Sequence, residues 1–92
     1  MTDIKDVLEQ RASTHGDFSE VAYFAQRLRE IFREREIFRE RGGVFSDSQA
    51  ESLDMIASKL ARILAGNPNE PDHWLDIEGY ARLARERIKT DG

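Results

Sequence analysis

The residues best suited to chemistry lie in the second half of the sequence, where cations, ring side chains and a carboxylate recur at helical spacing. Lys59 and Arg62 are one helical turn apart, and His73, Asp76 and Tyr80 share one flank of a helix. A short connection makes the two helices pack as an antiparallel hairpin, in which Arg62 lies level with Asp76. The cations, with the helix N-terminus beside them, suit an anion such as phosphate. The alternative is an Arg62–Asp76 surface salt bridge that contributes little.

Two further candidate ligand-binding residues precede the hairpin. Arg11 continues the apolar face of the first helix, so its head group either reaches the solvent at the rim or is held inward for a ligand or a carboxylate. His15 lies in a polar loop over residues 13–17, where Gly16 supplies an unusual backbone angle. We expect Gly16 to shape this loop and His15 to face the ligand.

Two pairs of carboxylates are candidate metal ligands. Glu51 and Asp54 are neighbours on one helix, and Asp72 and Asp76 are neighbours on the next. Four oxygens from facing helices suit Mg²⁺. Because the pairs sit at different heights in the hairpin, they are about 20 Å apart in one chain, and a shared site requires a partner subunit.

Composition limits the class of protein. The chain has 92 residues, which is enough for a single helical domain over residues 1–92. Its net charge of −4 does not favour nucleic-acid binding through a basic surface. No apolar run approaches the roughly 20 residues of a membrane span. The sequence holds no cysteine, which fits a reducing cytoplasm.

The hydrophobic pattern predicts an all-α, compact four-helix domain. The first helix starts at a Thr2 or Asp3 cap and runs to about Ala12. The second starts after Asp17, which pairs with Glu20 as a capping box. Residues 31–41 contain a short repeat in which a pair of apolar residues recurs after six residues. A six-residue step rotates the helix so that the second pair does not lie on the same face as the first. The second helix therefore either breaks near residues 34–36 or presents this pair to something else.

The last two helices have the clearest boundaries. Ser46 and Gln49 form a capping box at the start of the third helix, and Gly66 ends it. Pro71 opens the fourth helix, which frays after Lys89. The predicted buried face of the fourth helix consists of Trp74, Ile77, Ala81, Ala84 and Ile88.

A cluster of large apolar residues follows the repeat and predicts self-association. Ile37, Phe38, Val44 and Phe45 are too many apolar side chains for so small a domain to leave exposed. We therefore expect at least a homodimer with this segment in or near the interface.

Four segments carry a resemblance to a known family. They are Arg11-x-x-Thr14-His15-Gly16-Asp17-Phe18, the pair Ala25-Gln26, the stretch Leu53 to Asn67, and the stretch Asp72 to Ala81. The most specific parts are Lys59 to Gly66 and Asp72 to Ala81. The sequence resembles a family of small proteins of tailed phages and prophages, over nearly the whole chain. That family is in turn similar to the all-α nucleoside triphosphate pyrophosphatases of the MazG-like superfamily, which are oligomeric and use Mg²⁺.

The resemblance implies a nucleotide ligand in the host-cell cytoplasm. Glu51-x-x-Asp54 matches the superfamily's carboxylate pattern in form, whereas the last helix offers only Asp72-x-x-x-Asp76. In an enzyme, Glu51, Asp54 and Asp76 would hold Mg²⁺ for hydrolysis of a phosphoanhydride, and the cations would neutralise phosphate.

Two alternative functions stay open at this point. One is a protein that binds and sequesters a nucleotide without hydrolysing it. The other is a helical interaction protein that docks on a host or phage partner through residues 31–45.

Overall fold

The computed structural model describes residues 3–38 and 45–88, and of residues 35–38 the backbone alone. These ranges form four helices and no strand. They are α1 (Ile4–His15), α2 (Phe18–Phe38), α3 (Asp47–Ala65) and α4 (Pro71–Glu86). The all-α four-helix domain is confirmed, and α3 and α4 form the expected antiparallel hairpin. None of the described helices has both the length and the apolar character needed to cross a bilayer.

The first helix starts where its cap predicts and ends later than expected. The Asp3 carboxylate accepts a hydrogen bond from the Lys5 backbone N–H at 3.3 Å. The loop predicted from Ser13 onward is wrong, because α1 continues through His15. The Ser13 and Thr14 hydroxyls bond back to the Gln10 carbonyl at 2.7 and 3.4 Å, so they do not interrupt the helix.

The second helix settles the question left by the internal repeat. The Asp17 carboxylate accepts a hydrogen bond from the Ser19 backbone N–H at 3.1 Å, which caps the helix start. The helix then runs without a break to Phe38, so the predicted alternative of a break near residues 34–36 is wrong. The segment predicted to mediate self-association lies mostly outside the described residues, and of its four apolar side chains only that of Phe45 is described.

The third and fourth helices begin as the sequence predicts. Ser46 and Gln49 form the full capping box, with reciprocal bonds of 3.1 and 3.0 Å. The third helix ends before Gly66, and Pro71 occupies the first turn of α4. The predicted fraying point at Lys89 lies outside the described residues.

Helix α3 is the central element, because it packs against both α2 and α4 while α1 touches it over a short stretch. The apolar residues buried between these helices are Ala25, Ala57 and Ala61. Alanine side chains let helix backbones approach closely but bury little apolar area. Most of the large apolar side chains therefore remain partly exposed to solvent.

The buried face of α4 is rotated from the predicted one. Trp74 and Ile88 are 50% and 55% exposed, whereas His73 is 2% exposed and faces the interior. Trp74 instead lies along the α3–α4 connection, where its indole N–H donates to the Pro68 carbonyl at 2.8 Å. The amphipathic pattern of α4 predicted the wrong buried face, because the residue that points into the interior is a histidine, His73, and not an apolar residue.

The loop after α1 contacts the loop after α3 backbone to backbone. The Asn67 N–H donates to the Thr14 carbonyl at 3.1 Å. A Cβ atom placed on Gly66 would lie 2.5 Å from the Gly16 nitrogen and 2.6 Å from the His15 carbonyl carbon. Gly16 itself has a φ of 91°, a conformation that other residues rarely adopt.

We predict that Gly66→Ala destabilises the fold by about 1–3 kcal/mol, because the atoms that its Cβ would meet are backbone and cannot rotate away. Chemical denaturation of the dilute chain measures this change. Gly79→Ala is the matched control, since a Cβ there meets nothing within 4 Å. In that helix interior it should stabilise the fold by about 0.5–1 kcal/mol. Equal effects of the two substitutions would contradict the close contact.

Candidate functional site

A cleft of 690 Å³ opens between α1, α2 and one side of α3. Its polar lining includes Arg11, His15 and Arg62, three of the residues that the sequence predicted to bind a ligand. Its apolar lining comes mainly from the first turns of α2, with Phe18 at the start of that helix. The cleft therefore combines cationic groups on all three helices with an apolar patch on the first turns of α2.

Two of the three arginines in the cleft have no partner among the residues that the structure describes. Arg29 donates to the Ser58 hydroxyl at 2.7 Å and lies 3.6 Å from the Asp54 carboxylate, so its charge is already compensated. Among the residues that the structure describes, Arg11 and Arg62 make neither an ion pair nor a side-chain hydrogen bond. Two guanidinium groups are thus free to bind an anion in a bidentate manner.

His15 is held in place by a second histidine. Its Nδ1 lies 3.1 Å from Nε2 of His73, and the two rings meet edge to face with centroids 4.9 Å apart. One of these two nitrogens must lack a proton for the hydrogen bond to form. Because His73 is buried and fixed in α4, the bond orients the His15 ring at the end of α1. The Nε2 atom of His15 has no partner among the described residues.

The surroundings of His15 disfavour its charged form. Burial lowers the pKa of His15 from its ordinary value of 6.5. Repulsion from His73, Arg62 and Arg11 lowers the pKa further, and Glu70 partly opposes these effects. At neutral pH the His15 ring is therefore a neutral hydrogen-bonding group beside two permanent cations.

The helical hairpin has a different register from the one inferred from the sequence. Arg62 does not pair with Asp76. Lys59 does, with its ammonium nitrogen 2.9 Å from the carboxylate. The offset is three residues on α3, close to one turn, and it places Arg62 near His15 instead. The sequence alone does not determine this offset, because a five-residue connection allows α3 and α4 to pack in several registers.

The predicted metal ligands do not come together within one chain. Asp54 lies beside Arg29 and Asp76 beside Lys59, so two of the four carboxylates face cations. Within residues 3–38 and 45–88 no three His, Cys, Asp or Glu side chains are close enough to share a metal ion. Glu51 and Asp72 are exposed on separate helices. The carboxylates of a single chain therefore do not fit a Mg²⁺ ion.

The six predicted ligand-binding residues divide between two places. Arg11, His15 and Arg62 line the cleft, with His73 directly behind His15. Lys59 is engaged with Asp76, and the half-buried Tyr80 lies near Glu51 on another surface of the hairpin. The structure therefore brings Arg11, His15 and Arg62 together in the α1–α2–α3 cleft and leaves Lys59 and Tyr80 on the α3–α4 hairpin.

Sequence reasoning missed three residues that shape this cleft. Phe18 and Gln26 line it, and Arg29 closes one end through its bonds to α3. Phe18 is a large apolar residue at the start of α2, yet it is 84% exposed. Its position directly after the Asp17 cap, at the end of the helix, was the available signal.

The fold and the site define an all-α protein in which three of the four described helices line a cleft, with two arginines that have no ion-pair partner among the described residues. No family model, no curated protein and no solved structure matches this chain.

The lowered pKa of His15 predicts a pH dependence of stability. The unfolded chain takes up a proton on His15 near pH 6.5, whereas the folded chain takes it up only at lower pH. The unfolded state therefore binds more protons between these two values, and the free energy of unfolding falls as the pH drops through this window. Denaturation curves from neutral to mildly acidic pH measure the slope.

The control for this prediction is His15→Gln, which keeps a hydrogen-bonding group but cannot titrate. We expect a shallower slope in this variant, because the remaining dependence comes from other groups. The same slope in both proteins would show that His15 does not cause the pH dependence.

The Lys59–Asp76 pair gives a prediction that separates stability from ligand binding. Lys59 is 14% exposed and Asp76 is 44% exposed, so the pair is partly shielded from solvent. Lys59→Met should cost about 1 kcal/mol of stability, because it keeps the apolar stem and removes the charge. A double-mutant cycle with Asp76→Asn should attribute most of that loss to their coupling. Neither substitution should change the affinity for a ligand in the cleft. A loss of affinity would mean that Lys59 takes part in ligand binding.

Proposed function

We propose that this protein binds a phosphorylated small molecule, with a nucleotide as the best candidate, in the cleft between α1, α2 and α3. The observation that carries the proposal is the pair of unpartnered guanidinium groups of Arg11 and Arg62 beside His15. The neutral His15 ring adds a hydrogen-bonding group beside these two cations.

The electrostatics of the cleft favour an anion. Like charges placed side by side repel each other, so two unpaired arginines around one cavity destabilise the free protein unless an anion binds there. The cleft contains one carboxylate, that of Asp17, which is already engaged with Ser19. Phosphate is the best match, because its oxygens accept the paired hydrogen bonds of a guanidinium group.

The apolar side of the cleft favours a nucleotide over a bare phosphate. Phe18 lines the cleft while 84% of its surface is exposed, so its ring is accessible to a planar ligand. A base stacked on an aromatic ring contributes about 1–3 kcal/mol in known single-strand complexes. The cleft volume of 690 Å³ falls within the range of about 300–1,000 Å³ that is typical of small-molecule sites.

The proposal is binding, and it includes no hydrolytic step. Within the described residues of one chain, the carboxylates predicted to hold Mg²⁺ do not meet. A metal site shared with a partner subunit stays a prediction, and the proposal therefore rests on the binding groups of the cleft alone. The resemblance to phage and prophage proteins is the support for a nucleotide in the cytoplasm of a host cell and for assembly into a homo-oligomer.

The phosphate end is tested with Arg11→Ala and Arg62→Ala. Each substitution should leave the free energy of unfolding nearly unchanged, because neither guanidinium group has a partner among the described residues. The substitution also removes the repulsion between the two arginines, which offsets part of any destabilisation. Affinity for a nucleoside triphosphate should fall by about 1.5–3 kcal/mol for each charged hydrogen bond removed. Calorimetric titration measures the affinity. Arg27→Ala is the matched control, since Arg27 pairs with Glu30 on the exposed side of α2.

The base end is tested with Phe18→Ala. Nucleotide affinity should fall, whereas affinity for inorganic pyrophosphate should stay the same, because the phosphate contacts remain. Tyr23→Ala is the control, since Tyr23 is another exposed aromatic residue of α2 that does not line the cleft. If neither nucleotides nor pyrophosphate bind the wild-type protein, the interaction-protein alternative becomes the better explanation.

A further inference from the structure

Within the described residues, the fold uses only one of the two ring nitrogens of His15. Nδ1 of His15 lies 3.1 Å from Nε2 of His73, and this contact turns one edge of the ring toward α4. His15 lines the cleft, whereas His73 does not. The other nitrogen of His15, Nε2, makes no hydrogen bond to any described residue. This half-buried ring therefore has one nitrogen fixed by the fold and one left over.

The charges around the cleft favour the tautomer of His15 that has a lone pair on Nε2. In a neutral imidazole one nitrogen carries the proton and the other carries a lone pair. The contact with His73 is compatible with both tautomers, because either nitrogen of the pair can donate. Arg11 and Arg62 line the cleft beside His15, and these permanent cations attract a lone pair and repel an N–H dipole. We therefore expect Nδ1 to donate to His73 and Nε2 to keep its lone pair.

The lone pair is available at neutral pH because the ring is not protonated there. Burial is the largest cause of the lowered pKa of His15, and its cationic neighbours add to it. Glu70, at the cap of α4, opposes the lowering of this pKa in part. Asp17 also lines the cleft, but its carboxylate accepts hydrogen bonds from the backbone N–H and the hydroxyl of Ser19. A neutral ring thus lies beside two guanidinium groups.

We propose that His15 accepts a phosphoryl group from a phosphoric anhydride in the cleft, by attack of its Nε2 atom on phosphorus. The inference rests on the proposed binding of a phosphorylated ligand there. Histidine is one of the side chains that form covalent intermediates. Catalysis of phosphoryl transfer consists mainly of positioning and of stabilising the charge on the transferred oxygens. His73 positions the nucleophile, and Arg11 and Arg62 are the cations for the oxygens.

The step balances with the groups in and behind the cleft. The Nε2 lone pair of His15 forms an N–P bond, and the P–O bond to the leaving group breaks. The electron pair of that bond leaves with the oxygen, as a carboxylate from an acyl phosphate or as a nucleoside diphosphate from a nucleoside triphosphate. The His15 ring becomes cationic, and its Nδ1 proton moves to Nε2 of His73. His73 is therefore a positioning residue that also takes up the proton.

The modification is tested by incubating the purified chain with acetyl phosphate or with a nucleoside triphosphate. Mass spectrometry should find one phosphoryl group on His15, stable in alkali and lost in mild acid, as expected of a phosphorus–nitrogen bond. The chain has two histidines, and the second, His73, is 2% exposed, so the assignment is direct. His15→Gln should remove the label and keep the helical circular dichroism. The same amount of label on this variant would overturn the proposal.

The role of His73 is tested with two substitutions. His73→Leu removes the proton acceptor, so the rate of labelling should fall by about a hundredfold, as for loss of a positioned base. His73→Gln keeps an oxygen that accepts a hydrogen bond from Nδ1, so it should restore part of the rate. Nitrogen-15 NMR should find the proton of the wild-type His15 ring on Nδ1. A proton on Nε2, or equal rates in the two variants, would contradict this role.

The part played by the two arginines is tested in the same assay. Arg11→Ala and Arg62→Ala should each slow the labelling by acetyl phosphate by about a hundredfold, the order of effect of losing a donor that stabilises developing charge. Arg27→Ala is again the control, because Arg27 pairs with Glu30 away from the cleft. Equal rates in all three variants would show that the label forms without the cleft, and would overturn the proposal.

Binding and transfer can fail separately. Calorimetric titration of the same preparation with a nucleoside triphosphate measures binding alone. Binding without label on His15 from either donor would overturn the transfer and leave the proposed function standing. Label from acetyl phosphate without nucleotide binding would support the transfer and remove the nucleotide from the proposed function. A chain that neither binds nor becomes labelled would overturn both.

Discussion

The backbone contact between the Gly16 and Gly66 loops is the constraint on which the site depends. Helix α1 touches α3 over only a short stretch, so this contact and the hydrogen bond from Asn67 to Thr14 are the main anchors of its C-terminal end. They bring the end of α1 against the start of α4, where His15 meets His73. The α1 wall of the cleft, which carries Arg11, is positioned by the same anchors. A side chain at either glycine would separate the loops and with them the two sides of the site.

The core that supports this contact is small and rich in alanine. Ala57 and Ala61 are fully buried on the central helix, and Ala25 packs from α2. Small side chains draw the three helices close together, but they leave larger apolar groups at the periphery, as at Leu64 and Ile31. A domain of this size buries a modest fraction of its surface, so its stability is limited. Any molecule that binds the folded chain and not the unfolded one adds stability by mass action.

The sequence predicted local structure well because capping is local chemistry. Ser46 with Gln49 and Pro71 each specify a helix start through contacts within one turn, and all three are where the pattern places them. The register of the hairpin was not predictable in this way, because the difference between Arg62 and Lys59 as the partner of Asp76 is one turn on the same flank of α3. The inner face of α4 was missed for a related reason. Hydrophobicity predicts that Trp74 is buried in preference to His73. His73 is the buried residue, because His15 provides a hydrogen-bonding partner for its ring nitrogen.

The division of charges between the cleft and the hairpin follows from this register. With Lys59 committed to Asp76 and Arg29 to Asp54, the chain neutralises two of its carboxylates by its own cations. Both of these carboxylates are predicted metal ligands, and in the single chain each forms a salt bridge between α3 and a neighbouring helix. Among the described residues, Arg11 and Arg62 have no such partner, and both line the cleft. A one-turn shift along α3 thus determines which cation pairs with Asp76, and with Lys59 in that place Arg62 lies unpaired near His15.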